Sequence, residues 1–309
     1  MLTHCLHRWL TVLSLLCLLG GVNKASAQVA SIGNTKYATL QEAFEAASTT
    51  STIKILENID NFGKISFTGK TLTLNLDGHT VSGTSITVGK NASFTISSKS
   101  SYASVDDNYN VTYNSSKTGK LSLTGSVTAV DGGQVTMNNG MVESKDVAFF
   151  AVGDETGQTP VASKVTITGG YVKAQEGCAL PLGNGANVTI NGGKYGVVLE
   201  CLDNAAVAGN GTYDVAKNKK LGGTTISISG NNQAYPCVLL GRIQSKGYVA
   251  CGVYHPQQGT LTIGNYTKIV ALGGAGIVMR GGELNLGDTK SKNIEIIACL
   301  LYTSDAADE

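Results

Sequence analysis

Equivalent apolar positions recur in this chain at spacings of 22 or 23 residues, longer where loops are inserted into some turns, and that recurrence constrains the fold more than any other feature. Leu74 stands 22 positions before Ile96, Val165 stands 23 before Val188, and Leu261 stands 23 before Leu284. Each belongs to a short run alternating apolar and polar residues, such as Leu72-Thr73-Leu74-Asn75-Leu76, bounded by Gly, Asn or Asp. Runs of this kind read as short strands with one buried face. A unit of this length cannot bury its apolar side alone, so neighbouring units must stack into a solenoid.

An eleven-residue frame shows what each unit contains. Ile86 to Ile96 aligns without gaps on Leu180 to Ile190, and Val127 to Met137 and Val253 to Ile263 fit the same frame. The frame is an apolar-x-apolar strand, a Gly/Asn-rich corner, then an apolar-Thr-apolar strand. A Gly pair often follows, as at Gly169-Gly170 and Gly192-Gly193. Corners thus account for the 39 Gly in 309 residues, and only 4 Pro argue against a collagen-like or Pro/Gly-disordered chain. A β-sandwich is the competing fold, but it would bring hairpins and no such phase. Charged residues make up only 15%, and a formal net charge of +1 without a basic block argues against a nucleic-acid partner.

One helix is expected, near the start. Thr39 and Glu42 have capping-box spacing, and Leu40, Ala43, Phe44 and Ala47 fall on one helical face. Ahead of it, residues 1–27 read as a secretory signal peptide. His7 and Arg8 precede an apolar stretch from Leu10 to Leu19, and Ala25-Ser26-Ala27 supplies a small-residue cleavage site. That stretch is too short to favour a membrane span, and Leu16 before Cys17 argues against a lipid anchor. The mature fragment is expected to contain no membrane span. Residues 299–309, from Cys299 to Glu309, break the repeat and resemble the one-frame translation of a transposon-end adapter used to prepare sequencing libraries. The expected organisation is a signal at 1–27, a solenoid at 28–298 truncated at its C-terminus, and an adapter-derived segment at 299–309.

The opening IGNTKYATLQEAFEAAS…STIKIL, the segment LTLNLDGHTVSG and the recurring VTINGG resemble the pectate-lyase-like right-handed parallel β-helices of bacterial surface and secreted proteins. The resemblance covers about residues 29–298. It implies an all-β, right-handed parallel β-helix whose short N-terminal helix caps the first coil.

Cys178 and Cys201 each lie 13 residues after an equivalent Val, at 165 and 188. The repeat therefore places them as stacked neighbours on consecutive coils, either as a disulfide or as stacked buried thiols. Neither a C-x-x-C pair nor a Cys/His cluster points to zinc.

A uronate lyase of this architecture needs an acidic calcium cluster and a basic residue, and a glycosidase needs paired carboxylates. Between the two ends the only arginines are Arg242 and Arg280, neither with an obvious carboxylate group nearby in sequence. Asp106-Asp107 is an adjacent acidic pair before the C-terminal segment, and it lies in a polar insertion rather than on a repeat strand. We therefore assign no catalytic residue, metal or cofactor. That insertion, 100–118, is the candidate ligand-binding element. Tyr102, Tyr109 and Tyr113 offer stacking faces, and Asp106 and Asp107 offer hydrogen-bonding groups suited to sugar hydroxyls. A second insertion, 203–220, is Lys-rich near its end and reads as solvent-exposed. The expected function is an exported, non-enzymatic, adhesin-like surface protein whose loops meet glycans or cell-surface ligands. The alternative is a polysaccharide lyase or glycoside hydrolase acting on an acidic or plant/host glycan, an analogy of fold alone.

Overall fold

The computed structural model describes residues 27–99, 103–114, 118–153, 161–183, 185–193, 196–208, 223–242, 250–255, 259–279, 281–287 and 293–299. The chain winds repeatedly through three long sheets, visiting them in a fixed cycle. One coil runs from Thr71–Asn75 in the first sheet to Thr80–Gly83 in the second and Ser85–Val88 in the third. It then returns to the first sheet at Ser93–Ser97, directly beside its starting strand. Successive coils pair in parallel in all three sheets, so the molecule is an all-β parallel β-helix.

The registers match the 22- and 23-residue spacings, and inserted loops lengthen the other steps. Leu74 pairs with Ile96, Val165 with Val188 and Leu261 with Leu284. Because strand side chains alternate, each matched position builds a column through the core. Leu72, Phe94, Val135, Val165, Val188, Ile226 and Leu261 form one such column, every member essentially buried. Each fully buried aliphatic or aromatic side chain contributes about 1.5–3 kcal/mol, so stacking supplies the stability that one coil lacks. Corners are tight: Gly170 has φ +101°, and a Cβ there would run into the carbonyl oxygen of Gly140 on the preceding coil.

At the N-terminal end, helix α1 spans Leu40–Ala46 with the expected Thr39–Glu42 capping box. Its face of Leu40, Ala43 and Phe44, with Ala47 following, is buried over the first coil. Phe44 meets Phe67 and Phe94, with ring centroids 5.7 and 6.0 Å away. Lys70 donates from Nζ to the carbonyls of Phe44 and Glu45 at 3.3 and 3.4 Å, where helix carbonyls lack partners. An antiparallel pair, Ala30–Ile32 and Thr35–Tyr37, adds to the edge of the first sheet beside Thr50–Ile55. That pair was not among the sequence expectations. It occupies an edge that would otherwise present open hydrogen-bonding groups.

Two expectations need correction. The thiols of Cys178 and Cys201 do not stack in register. Gly170 pairs with Val197, 27 positions on rather than 23, because the corner before Val197 is longer than its counterpart. Cys201 therefore lies beside Ala174 in the second sheet, while Cys178 lies level with Ala206 in the third. Cys178, Cys201, Cys237 and Cys251 are all buried and free. The second correction concerns the frame alignment at Leu180. Ile86, Val127, Phe149 and Ala179 share a column, so the inward residue is Ala179 and Leu180 faces outward. One extra corner residue before Val188 flips the preceding strand, as a single-residue slip must.

Candidate functional site

The insertion after Ser97 folds rather than trailing into solvent. Ser93 pairs with Gln134, 41 positions on, and part of the extra length forms an antiparallel hairpin of Ala103–Val105 and Val111–Tyr113. The hairpin packs against the outward face of the second sheet. There Met141, Tyr171, Val198 and Val238 form one outward column, and Leu240 and Val270 belong to the next. These six residues are buried in a cluster that Ala103, Val105, Tyr109, Val111 and Tyr113 cover. Strands such as Cys237–Gly241 are buried on both faces, which explains their unbroken apolar sequence.

Of the residues singled out in the sequence, Asp106 shapes the hairpin turn. Its Oδ1 accepts from the backbone N–H groups of Asn108 and Asn110 at 2.9 and 2.8 Å, and Oδ2 accepts from the Asn110 amide at 3.0 Å. The Asn110 side chain, then its backbone N–H, holds this carboxyl below the usual range, and the Asn108 N–H adds to the effect. Tyr109 closes the turn in the left-handed region, φ 63°, a costly conformation for a bulky residue. Tyr109 also makes two anchoring contacts. Its carbonyl accepts from Arg242 Nη2, and Lys268 Nζ lies 5.3 Å from its ring centroid.

Tyr113 fastens the other strand. Its ring centroid is 5.7 Å from that of Tyr171, and its hydroxyl donates to the carbonyls of Thr118 and Gly119 at 3.3 and 3.4 Å. Burial pushes its phenol up to about 12. Beneath the hairpin, the Tyr171 hydroxyl donates to Glu200 Oε2, and Arg242 Nε donates to Glu200 Oε1 at 2.6 Å. Burial, then Glu200, pushes the Tyr171 phenol up. The carboxylate is thus satisfied from both sides in a largely dehydrated place, as a buried charge requires.

Asp107 is exposed at the hairpin tip and, with Asp106, borders a cleft of about 230 Å³. Ser104, Gln233, Tyr235 and Lys268 add polar groups to its wall. The facing corner is shaped by Asn232, whose Oδ1 accepts from the N–H groups of Ala234 and Tyr235 at 2.9 and 3.0 Å. Lys268 pairs with Glu295 at 3.2 Å across neighbouring coils. The structure therefore brings Asp106 and Asp107 to the cleft wall, uses Tyr109 to anchor the hairpin turn, and inserts Tyr113 under the hairpin. Tyr102 lies outside the described residues. Sequence reasoning missed Glu200, Arg242, Tyr171, Gln233, Tyr235 and Lys268 as partners of this hairpin. The unbroken apolar runs Val197-Val198-Leu199 and Cys237-Val238-Leu239-Leu240 were the available signal of a covered flank.

The second insertion begins later than its sequence suggests, because Ala205–Ala208 is a buried strand. Residues 209–222 lie outside the described residues. Among the described residues, no three His, Cys, Asp or Glu side chains converge as a metal set, and no helix is long and apolar enough to cross a membrane. No family model matches the chain, and neither a curated protein nor a solved structure matches it.

Proposed function

We propose that this chain is an exported, non-enzymatic surface solenoid of the pectate-lyase-like type, and that it binds glycans at the cleft between hairpin 103–113 and corner 231–236. The carrying observation is the polar cleft of about 230 Å³ set between these two turns and backed by the rigid second sheet. Loops fixed on a rigid scaffold are common binding elements, and Tyr235 with the Asp, Gln, Ser and Lys side chains suits sugar faces and hydroxyls. The signal-like segment 1–27 supports export to the cell surface or medium. Catalysis is the weaker reading because its best candidates are engaged: Asp106 organises the turn, and Arg242 is held by Glu200 and Tyr109. A glycan array paired with assays of reducing-end release and unsaturated-uronate absorbance tests this proposal. We expect binding without cleavage. Depolymerisation that is lost in Asp106→Asn or Asp107→Asn would overturn it.

A further inference from the structure

Resting on the glycan-binding reading, we infer that the ligand is a linear oligosaccharide carrying free amino groups, a glucosamine-type chain rather than a uronate chain. The first cleft does not end at corner 231–236. Gln233, Pro236 and Lys268 also line a second cleft of about 400 Å³, whose remaining wall includes Tyr266, Asn293 and Glu295. The two share a wall and run past the corresponding corners of successive coils, which enter the second sheet at Cys237, Thr267 and Ile294. A groove that repeats with the coils suits a polymer that repeats along its own length.

Charge selects the class of polymer. The groove holds three carboxylates, Asp106, Asp107 and Glu295, against one ammonium, Lys268. Lys268 is already paired with Glu295 and lies over the Tyr109 ring. Among the described residues, neither aspartate has an ion-pair partner, so the hairpin end of the groove presents uncompensated negative charge. A polyuronate would be repelled there, whereas protonated amines on successive sugars would meet Asp107 and Asp106. These groups are exposed, so the attraction is modest per pair and screened by salt.

The test is titration calorimetry of the whole chain with three tetramers: glucosamine, N-acetylglucosamine and galacturonate. We expect glucosamine tetramer to bind about tenfold tighter than its acetylated form, galacturonate to give no heat, and raised salt to shrink the preference. Asp107→Asn should remove most of the preference, and Gln233→Ala should weaken both binding tetramers. Equal binding of the amine and acetylated tetramers, or tighter binding of galacturonate, overturns the charge inference but leaves glycan binding standing. Failure of all three, together with a blank glycan array, overturns both.

Discussion

Arg242 and Glu200 meet at 2.6 Å beneath the hairpin, and the same guanidinium reaches the carbonyl of Tyr109 at its turn. Their side chains are only 18% and 9% exposed, so the pair joins an inserted element to the solenoid from within a largely dry interface. Glu200 stands in an outward column between Lys173 and Leu240, at the place where that face changes from solvated to covered. A charge at this boundary fixes where the hairpin sits.

Removing one member should therefore cost more than removing both. Arg242→Met leaves the Glu200 charge buried without its cation, and we expect a loss of about 3 kcal/mol, the lower end for a broken buried pair. The double variant Glu200→Leu/Arg242→Met should recover most of that stability. In both, the hairpin loses its tether at Tyr109, so limited proteolysis should cut near residues 106–110 faster than in the parent. Equal stabilities for the single and double variants would show that the pair is not buried in solution.

The aromatic group under helix α1 carries a second expectation. Phe44, Phe67 and Phe94 meet at centroid distances of 5.7 to 6.0 Å and join the cap to the first coils. Phe44→Ala should cost about 3–5 kcal/mol, as large-to-small changes in a close-packed core do. Thr39→Ala removes only the capping acceptor and should cost about 1 kcal/mol. Urea unfolding measures both, and similar small losses would mean that the helix does not share the solenoid's cooperative unit.

How much of this was legible in the sequence follows from what each part depends on. The columns through Val165–Val188 and Leu261–Leu284 were readable because the solenoid repeats one local pattern, and local alternation decides which side chains face inward. The errors at Leu180 and at Cys178 and Cys201 arose at corners. A residue added there leaves the apolar pattern intact but changes register or facing. The hairpin's role was less legible, since its partners lie far along the chain. Tyr109 and Arg242 are 133 positions apart, and no local periodicity links them. Tyrosines that suggested sugar platforms are in part used to hold the element that displays the cleft.

Apolar side chains are exposed on the last described coil. Leu284, Leu286 and Ile296 are 40%, 51% and 41% exposed on the last described strands. They continue core columns, as the pairing of Ile263 with Leu286 and of Ile269 with Ile296 shows. Such an exposed apolar patch favours self-association. Leu286→Thr/Ile296→Thr keeps β-compatible side chains while removing apolar surface. Sedimentation velocity should show association in the parent as concentration rises and less of it in the variant. Identical distributions would place the association elsewhere.

Burial of the thiols sets an alkaline limit on stability. Burial pushes Cys201 and Cys251 from an ordinary value of 9.0 up to about 11, and it raises Cys178 and Cys237 as well. A raised value in the folded state means that the folded chain keeps protons the unfolded chain has released. Stability from Cys201 and Cys251 is therefore fully present below pH 9, falls as pH rises between 9 and 11, and is lost above that window. Cys201 and Cys251 should each contribute on the order of 2 kcal/mol across it. Urea midpoints at pH 8 and pH 10.5 measure the fall, and Cys201→Ala/Cys251→Ala should flatten it even if the starting stability is lower. An unchanged slope in that variant would mean that other groups, Tyr113 among them, govern the alkaline transition.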